Sequence, residues 1–302
     1  MMSKLQIRNS FLLFVAAFIW GTAFVAQSVG MEYIEPFTFS TLRSFIGSAF
    51  LIPCIGILGR WKGKKAEQTE ADKKELLKGG IVCGVVIFAA ANLQQVAMLY
   101  TSVGKSGFLT ALYIVIVPII GVAFGKKPGK KLVAAVALAV VGLYLLCMKA
   151  GSFNLEFGDI LLLFSACSFS IHIMVIDHYT QKVDGVKLSC IQFFVCGVLS
   201  AMVMLFFEHP SISMIRETLL PLLYVGVLSS GVAYTLQIVG QKGMNPVIAS
   251  LIMSLESVIS AIAGWAVLGQ ILSKREIVGC VVMFLAIILA QLPEKVELRA
   301  ES

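Results

Sequence analysis

Charged residues are scarce in this sequence, and that scarcity excludes an ordinary soluble domain. Asp, Glu, Lys and Arg make up 14% of the 302 residues, whereas about a quarter of the residues in a typical soluble domain are charged. Hydrophobic residues make up 58% of the chain. This much apolar surface requires a lipid environment, in which only helices or a closed barrel satisfy every backbone polar group.

The sequence also lacks the short alternating segments of about ten residues that build membrane barrels. It has long unbroken apolar runs instead, such as residues 11–30 and 277–292. We therefore predict an all-α integral membrane protein. A helix needs roughly 20 residues to cross the hydrocarbon core, and the apolar runs predict ten transmembrane helices, at residues 11–29, 36–58, 77–99, 103–125, 131–149, 157–177, 188–207, 218–241, 246–269 and 273–293.

Sequence patterns for catalysis and for metal binding are missing as well. The seven cysteines lie scattered in apolar runs without a CxxC pair, which is typical of small buried side chains. The segment Ser102-Val103-Gly104-Lys105-Ser106 resembles the end of a phosphate-binding loop, but Leu99 stands where that loop requires a glycine. The sequence has no nucleophilic triad and no metalloprotease motif. We therefore expect no enzymatic activity, no cofactor and no bound metal.

The basic residues are distributed unevenly between the two sides of the predicted spans. If the N-terminus is cytoplasmic, 18 of the 24 Lys and Arg residues fall in cytoplasmic segments and five in external ones, with Arg43 inside a span. The positive-inside rule therefore places both termini in the cytoplasm, and it accounts for the net charge of +7 without a nucleic-acid partner. Residues 1–26 also resemble a signal peptide, but no clear small-residue cleavage site follows them, so we expect the first span to be retained.

Internal similarity divides the chain into two halves. A shift of 144 residues aligns Ser106-Gly107-Phe108-Leu109 with Ser250-Leu251-Ile252-Met253. We therefore expect two five-helix repeats, residues 1–150 and 151–302. Because each repeat has an odd number of spans, the two must enter the membrane in opposite senses, as inverted repeats do. Carriers with such repeats hold their binding site near the midplane and expose it to each side in turn.

Three polar side chains inside predicted spans are costly in lipid and are therefore candidates for function. Glu256, in the ninth span, is a candidate contact for a cationic substrate group or a coupling proton; alternatively it fixes packing through hydrogen bonds. Arg43, in the second span, is a candidate for binding a carboxylate or phosphate; alternatively it pairs with a carboxylate or extends to the nearer surface. His172, in the sixth span, is expected to be a hydrogen-bonded cavity residue rather than a metal ligand.

Polar and aromatic residues at helical spacing mark one face on several spans. A single such line is usually explained by hydrogen bonds between helices, whereas five lines together indicate a central polar cavity. We expect the following residues on these faces to contact the substrate or a coupling ion, together with the three residues above: Trp20 in the first span, Asn92 and Gln95 in the third, Tyr113 in the fourth, and Tyr234 and Gln237 in the eighth.

A series of short motifs also recurs in a particular order along the predicted spans. These motifs are Trp20-Gly21, Pro36, Arg43, Leu112-Tyr113, Pro118, Gly125 and Gly142-Leu143-Tyr144-Leu145-Leu146 in the first half, and Gly158-Asp159, Leu255-Glu256, Gly269 and Gly279 in the second half. Over residues 8–293 this arrangement resembles the drug/metabolite transporter superfamily, specifically its EamA-type members. Lys126 and Gln270 depart from that pattern, which often has glutamate there, and Ser257 stands in place of the usual proline. The last departure is expected to change the bend of the ninth helix.

The resemblance implies a ten-helix carrier with inverted repeats that works by alternating access, often as an exporter of amino acids, related metabolites or drugs. The implied partners are a small-molecule substrate, the lipid bilayer and a coupling proton or ion, and a homodimer is compatible with the sequence. Short loops favour a bacterial cell membrane. Three alternatives remain: a membrane scaffold or accessory subunit without transport, a membrane enzyme, for which the sequence has no catalytic constellation, and an ion channel, for which it has no charged ring or repeated filter segment.

Overall fold

The structure is a computed structural model that describes residues 4–61, 69–101, 103–125, 128–147, 156–268 and 273–291. Within these ranges every regular element is helical. The helices are α1 (Lys4–Gly30), α2 (Pro36–Trp61), α3 (Glu70–Ala97), α4 (Val103–Thr110), α5 (Tyr113–Ala123), α6 (Lys130–Cys147), α7 (Phe157–Thr180), α8 (Gly185–Phe207), α9 (Ile212–Glu217), α10 (Leu219–Leu223), a π-helical segment (Tyr224–Ala233), α11 (Tyr234–Gln241), α12 (Pro246–Met253), α13 (Leu255–Leu268) and α14 (Lys274–Gln291).

Most of the predicted spans are confirmed. In the described part of the chain, eight helical segments are long and apolar enough to cross a membrane: Lys4–Gly30, Pro36–Leu58, Glu70–Ala97, Ser106–Ala123, Phe157–Thr180, Gly185–Phe207, Leu219–Gln241 and Pro246–Val267. The chain is therefore a multi-pass helical membrane protein. The two other predicted spans, 131–149 and 273–293, coincide with α6 and α14, which have 18 residues each and are not among the eight. The count of ten spans stays a prediction.

Two helix starts are set by side chains of the residues that immediately precede them. The Asp184 carboxylate accepts a hydrogen bond from the backbone N–H of Val186 at 3.0 Å and so caps α8. Asn245 caps α12 in the same way through the N–H of Val247 at 2.9 Å, with Pro246 in the first turn. Such caps stabilise a helix by about 1 kcal/mol each, so the turn residues fix where these two helices begin.

The contacts between helices reflect the similarity of the two halves of the chain. Where a helix of one half packs against a helix of the other, the matching helices with the halves exchanged also pack together. α3 packs against α7, and α1 packs against the π-helical segment and α11. Likewise α3 packs against α8, and α2 packs against the π-helical segment. α1 also packs along α13, and α7 packs along α4 and α5. The remaining large contacts, α2 with α8 and α6 with α14, each join equivalent helices of the two halves.

Two glycines on α3 allow it to pack closely against α8. A β-carbon at Gly84 would lie 2.5 Å from Val195 Cβ. A β-carbon at Gly80 would overlap the side chain of Ile191. The spacing of four residues puts both glycines on one helix face, where small residues let membrane helices approach each other.

Two spans are interrupted at equivalent positions. The fourth predicted span consists of α4 and α5, with a break after Thr110, and the ninth consists of α12 and α13, with a break after Met253. The 144-residue shift that aligns the halves places Thr110 on Ser254, which is the residue at the second break. The Ser254 hydroxyl donates a hydrogen bond to the Leu251 carbonyl oxygen at 2.7 Å, and local bonds of this kind tend to bend helices.

Candidate functional site

A cavity lies at the level of the two helix breaks, and both halves of the chain contribute to its walls. The space between the lining atoms is about 490 Å³, which includes a part that is open to the outside. The side chains that line the cavity are Trp20, Phe24, Gln27, Arg43, Gln94, Thr110, Tyr113, Phe169, Ile173, Ser229, Tyr234, Gln237, Met253 and Glu256.

Arg43 supplies a buried positive charge to the cavity. Its side chain is on α2 and is 4% exposed. Nη1 donates a hydrogen bond to Gln27 Oε1 at 2.8 Å, and Nε has no hydrogen-bond partner. Among the described residues no carboxylate forms an ion pair with Arg43. Pairing with a carboxylate and extension to the surface, the two alternatives raised by the sequence, therefore do not describe this side chain.

Glu256 supplies a buried carboxyl group on another wall. It lies in the first turn of α13 and is 6% exposed. Its Oε1 accepts a hydrogen bond from the Tyr113 hydroxyl at 3.0 Å. That bond joins α5 to α13, so Glu256 both links two helices and faces the cavity. Within the described chain no basic side chain forms an ion pair with it.

Aromatic rings form the rest of the central wall. The Tyr234 ring contacts the Trp20 ring edge to face, with centroids 4.7 Å apart, and the Phe193 ring at 5.1 Å. Tyr234 also has electrostatic interactions with both Arg43 and Glu256. The Tyr234 phenol is therefore in electrostatic range of both ionisable groups of the cavity.

Six of the nine predicted site residues line the cavity, and three do not. The six are Trp20, Arg43, Tyr113, Tyr234, Gln237 and Glu256. Asn92 is buried beside α8, where its Nδ2 donates to Ser200 Oγ at 2.9 Å. Gln95 is fully buried without a hydrogen-bond partner. Whether any of the nine contacts a substrate stays a prediction.

His172 is the third predicted residue that does not line the cavity. It is fully buried, and its Nε2 lies 3.1 Å from Gln192 Oε1. Its ring contacts the Tyr234 ring edge to face, with centroids 6.1 Å apart. His172 therefore contacts a residue of the cavity wall without lining the cavity itself. In the part of the chain that the structure describes, no three His, Cys, Asp or Glu side chains gather in a way that could hold a metal ion.

Sequence reasoning missed Gln94, which lines the cavity in place of its neighbour Gln95. The Gln94 Nε2 donates a hydrogen bond to Thr110 Oγ1 at 3.0 Å, next to the break in the fourth span. Consecutive helix residues point about 100° apart, and no local signal distinguishes one glutamine from the other. The helix rotation that selects Gln94 is set by packing against other spans.

Gly21 sets how closely α1 approaches the carboxylate wall. A β-carbon at this position would lie 2.7 Å from the Glu256 carbonyl oxygen and 2.6 Å from Ile259 Cβ. Only glycine fits such a contact without a shift of one helix. The preceding residue, Trp20, thereby reaches the cavity beside Tyr234.

Comparison with known proteins identifies relatives over the whole chain. The model of the EamA-like transporter family matches residues 8–148 and again residues 156–292. An uncharacterized transporter of Archaeoglobus fulgidus is 31% identical over 281 residues, which cover 93% of this chain and 84% of the relative. The uncharacterized transporter YwfM of Bacillus subtilis is 22% identical over 302 residues and 97% of each chain.

A solved crystal structure shares the fold. It superimposes with a TM-score of 0.76 at 19% sequence identity and covers 94% of this chain and 98% of its own. The family match spans both halves of the chain, and the archaeal relative exceeds 30% identity over most of its length. The protein therefore belongs to the EamA-like transporter family.

Proposed function

We propose that this protein is a secondary transporter that exports a small metabolite, such as an amino acid or a related compound, or a drug, by alternating access. The observation that carries the proposal is the cavity with two buried ionisable groups, the Arg43 guanidinium and the Glu256 carboxyl, which are not paired with each other. Buried charges without an ionic partner are costly. A polar or charged substrate offsets that cost when it binds between them.

The fold proposed for this function has ten spans in two inverted repeats, residues 1–150 and 151–302. Three observations support it: the family model matches twice, the helix contacts correspond when the halves are exchanged, and the predicted spans 131–149 and 273–293 are helical where described. With α6 and α14 counted as spans, each repeat crosses the membrane five times. The repeats then lie in opposite senses around the cavity, and rocking of one against the other opens it to each side.

The proposed setting is a bacterial cell membrane with both termini in the cytoplasm. The support is the excess of Lys and Arg on one side of the spans. In this orientation a coupling proton or ion reaches the cavity from either side along the same route as the substrate. Glu256 is the proposed residue for that coupling, since its carboxyl group faces the cavity.

The test compares metabolites outside cells that produce equal amounts of wild-type protein, Glu256→Gln or Arg43→Gln. We expect at least one compound to accumulate outside with the wild type and to return to background with both variants. Arg216→Gln and Glu217→Gln are matched controls, because they remove the same charges at positions outside the cavity, and they should leave export unchanged.

Other outcomes discriminate among the alternatives. If export persists in both cavity variants, Arg43 and Glu256 are not needed for transport, but the proposal that the protein is a transporter still holds. No accumulation with the wild type contradicts export, and uptake into proteoliposomes containing the purified protein then separates import from a scaffold without transport.

A further inference from the structure

The fourth and ninth spans meet beside their breaks. We name this contact the break seam; it consists of Gly107 and Tyr113 on one side and Glu256 and Ser257 on the other. Two hydrogen bonds cross it. The Tyr113 hydroxyl donates to Glu256 Oε1 at 3.0 Å, and the Ser257 hydroxyl donates to the Gly107 carbonyl oxygen at 3.0 Å. The two bonds come from consecutive residues of α13, so both depend on the rotation of its first turn.

Ser257 differs from the other serines of the ninth span in where its hydroxyl group bonds. The hydroxyls of Ser250, Ser254 and Ser260 each donate to a carbonyl oxygen three residues earlier in the same span, at 2.9, 2.7 and 2.9 Å. These local bonds hold nothing outside their own span. The Ser257 hydroxyl instead reaches the backbone of α4, and it is 1% exposed.

Gly107 lies where the two helices come close together. A β-carbon at Gly107 would lie 3.3 Å from Ser260 Oγ and 3.9 Å from Ser257 Cα, so the two helices are in close contact at this point. The Gly107 carbonyl oxygen accepts the Ser257 bond in addition to its bond from the Ala111 N–H at 3.1 Å. The seam therefore needs no side chain from α4, only its backbone.

We propose that Ser257 is a positioning residue for Glu256. Its bond to the Gly107 carbonyl holds the first turn of α13 at the rotation that places the neighbouring carboxyl group against Tyr113 and the cavity. A proline at this position would have no hydroxyl group with which to make this link. The consequence for transport rests on the proposed function, whereas the positioning itself does not.

The carboxyl-specific reagent dicyclohexylcarbodiimide tests the proposal without a known substrate. The full chain is reconstituted in lipid nanodiscs at one fixed pH, and labelling of Glu256 is followed by mass spectrometry. Glu256→Gln shows which signal belongs to this residue. Tyr113→Phe should label about tenfold faster, because Oε1 loses a hydrogen bond of the strength typical of a charged acceptor.

The decisive variants change Ser257 alone and together with Tyr113. Ser257→Ala removes the bond to the Gly107 carbonyl oxygen. If the first turn of α13 then rotates, Glu256 Oε1 loses its bond from Tyr113, and labelling should again be about tenfold faster than in the wild type. Ser257→Thr should restore the wild-type rate because it keeps the hydroxyl group. Ser257→Ala in the Tyr113→Phe background should add nothing further. Ser250→Ala, whose hydroxyl bonds within its own helix, should label like the wild type.

Each contrary result overturns the proposal. A wild-type labelling rate for Ser257→Ala, failure of Ser257→Thr to restore the rate, or an additive effect with Tyr113→Phe would show that Ser257 does not hold Glu256 against Tyr113. An equal rise in Ser250→Ala would indicate general loosening of the span. These results leave the export test unaffected, so failure of the positioning role is distinguishable from failure of the transporter.

Discussion

Replacement of Gly21 by alanine should destabilise the protein, although alanine is the better helix former. The added β-carbon would lie 2.6 Å from Ile259 Cβ and 2.7 Å from the Glu256 carbonyl oxygen. Neither obstacle can rotate away, since one is backbone and the other is the branch point of a side chain. Overpacking in such a contact costs about 1–3 kcal/mol, and the upper part of that range applies because α1 and α13 must separate along their contact.

The helix propensity of alanine offsets part of this cost. Gly→Ala in a helix stabilises by roughly 0.5–1 kcal/mol, so the net loss expected for Gly21→Ala is about 1–2 kcal/mol. One kcal/mol corresponds to roughly 2–4 °C in Tm for chains of 150–250 residues. We expect a Tm lower by about 2–8 °C in thermal unfolding of the detergent-purified protein, at one scan rate and one protein concentration.

Gly56→Ala is the matched control for this experiment. It makes the same substitution inside α2, where, apart from the backbone of the same helix, no atom of the described residues lies within 4 Å of the added β-carbon. Its Tm should therefore be equal to that of the wild type or higher, from propensity alone. If Gly21→Ala were as stable as Gly56→Ala, the close contact between α1 and α13 would not exist, and the placement of Trp20 beside Tyr234 would be refuted with it.

Three further perturbations have definite expected outcomes in the same unfolding assay. Glu208→Gln should lower the Tm by several degrees. The Glu208 carboxylate accepts hydrogen bonds from the Phe37 N–H at 2.8 Å and the Thr38 N–H at 2.6 Å, and charge-assisted bonds contribute about 1.5–3 kcal/mol. An unchanged Tm would contradict a stabilising bond between Glu208 and the start of α2. Asp184→Ala should cost about 1 kcal/mol through loss of the α8 cap, whereas Asp184→Asn should keep most of it. Gln27→Leu removes the acceptor of the Arg43 Nη1 bond and should cost about 1–3 kcal/mol or more; a stable variant would mean that the guanidinium group finds another partner.

Features that depend on one segment of the chain could be predicted from the sequence, whereas features that depend on distant partners could not. The spans were predictable because length and apolarity are properties of a single segment, and the starts of α8 and α12 were predictable because Asp184 and Asn245 cap their own helices. The bond between Glu208 and the N-terminus of α2 was not predictable. It joins residues 170 and 171 positions apart, and nothing near either end marks the partner.

The candidate site shows the same division. Lipid makes charged and polar residues inside a span costly, and for that reason Arg43 and Glu256 were recognisable without coordinates. The choice between Gln94 and Gln95, and the position of His172 behind Tyr234, depended on helix rotation. A rotation of about 100° separates neighbouring residues, and a hydropathy pattern does not fix it to that precision.

The sequence by itself therefore determined three things: that this chain is a helical membrane protein, which of its segments are apolar enough to cross the membrane, and which charged side chains lie inside those segments. Each of these follows from the free energy of transferring one segment from water to lipid. The tertiary structure decided which side chains share the cavity, how Tyr113 and Ser257 tie the broken spans together, and which partner each buried polar group has. These features depend on the packing of helices that lie far apart in the chain, where the close contacts of residues such as Gly21 and Gly107 fix the distance and rotation of each helix.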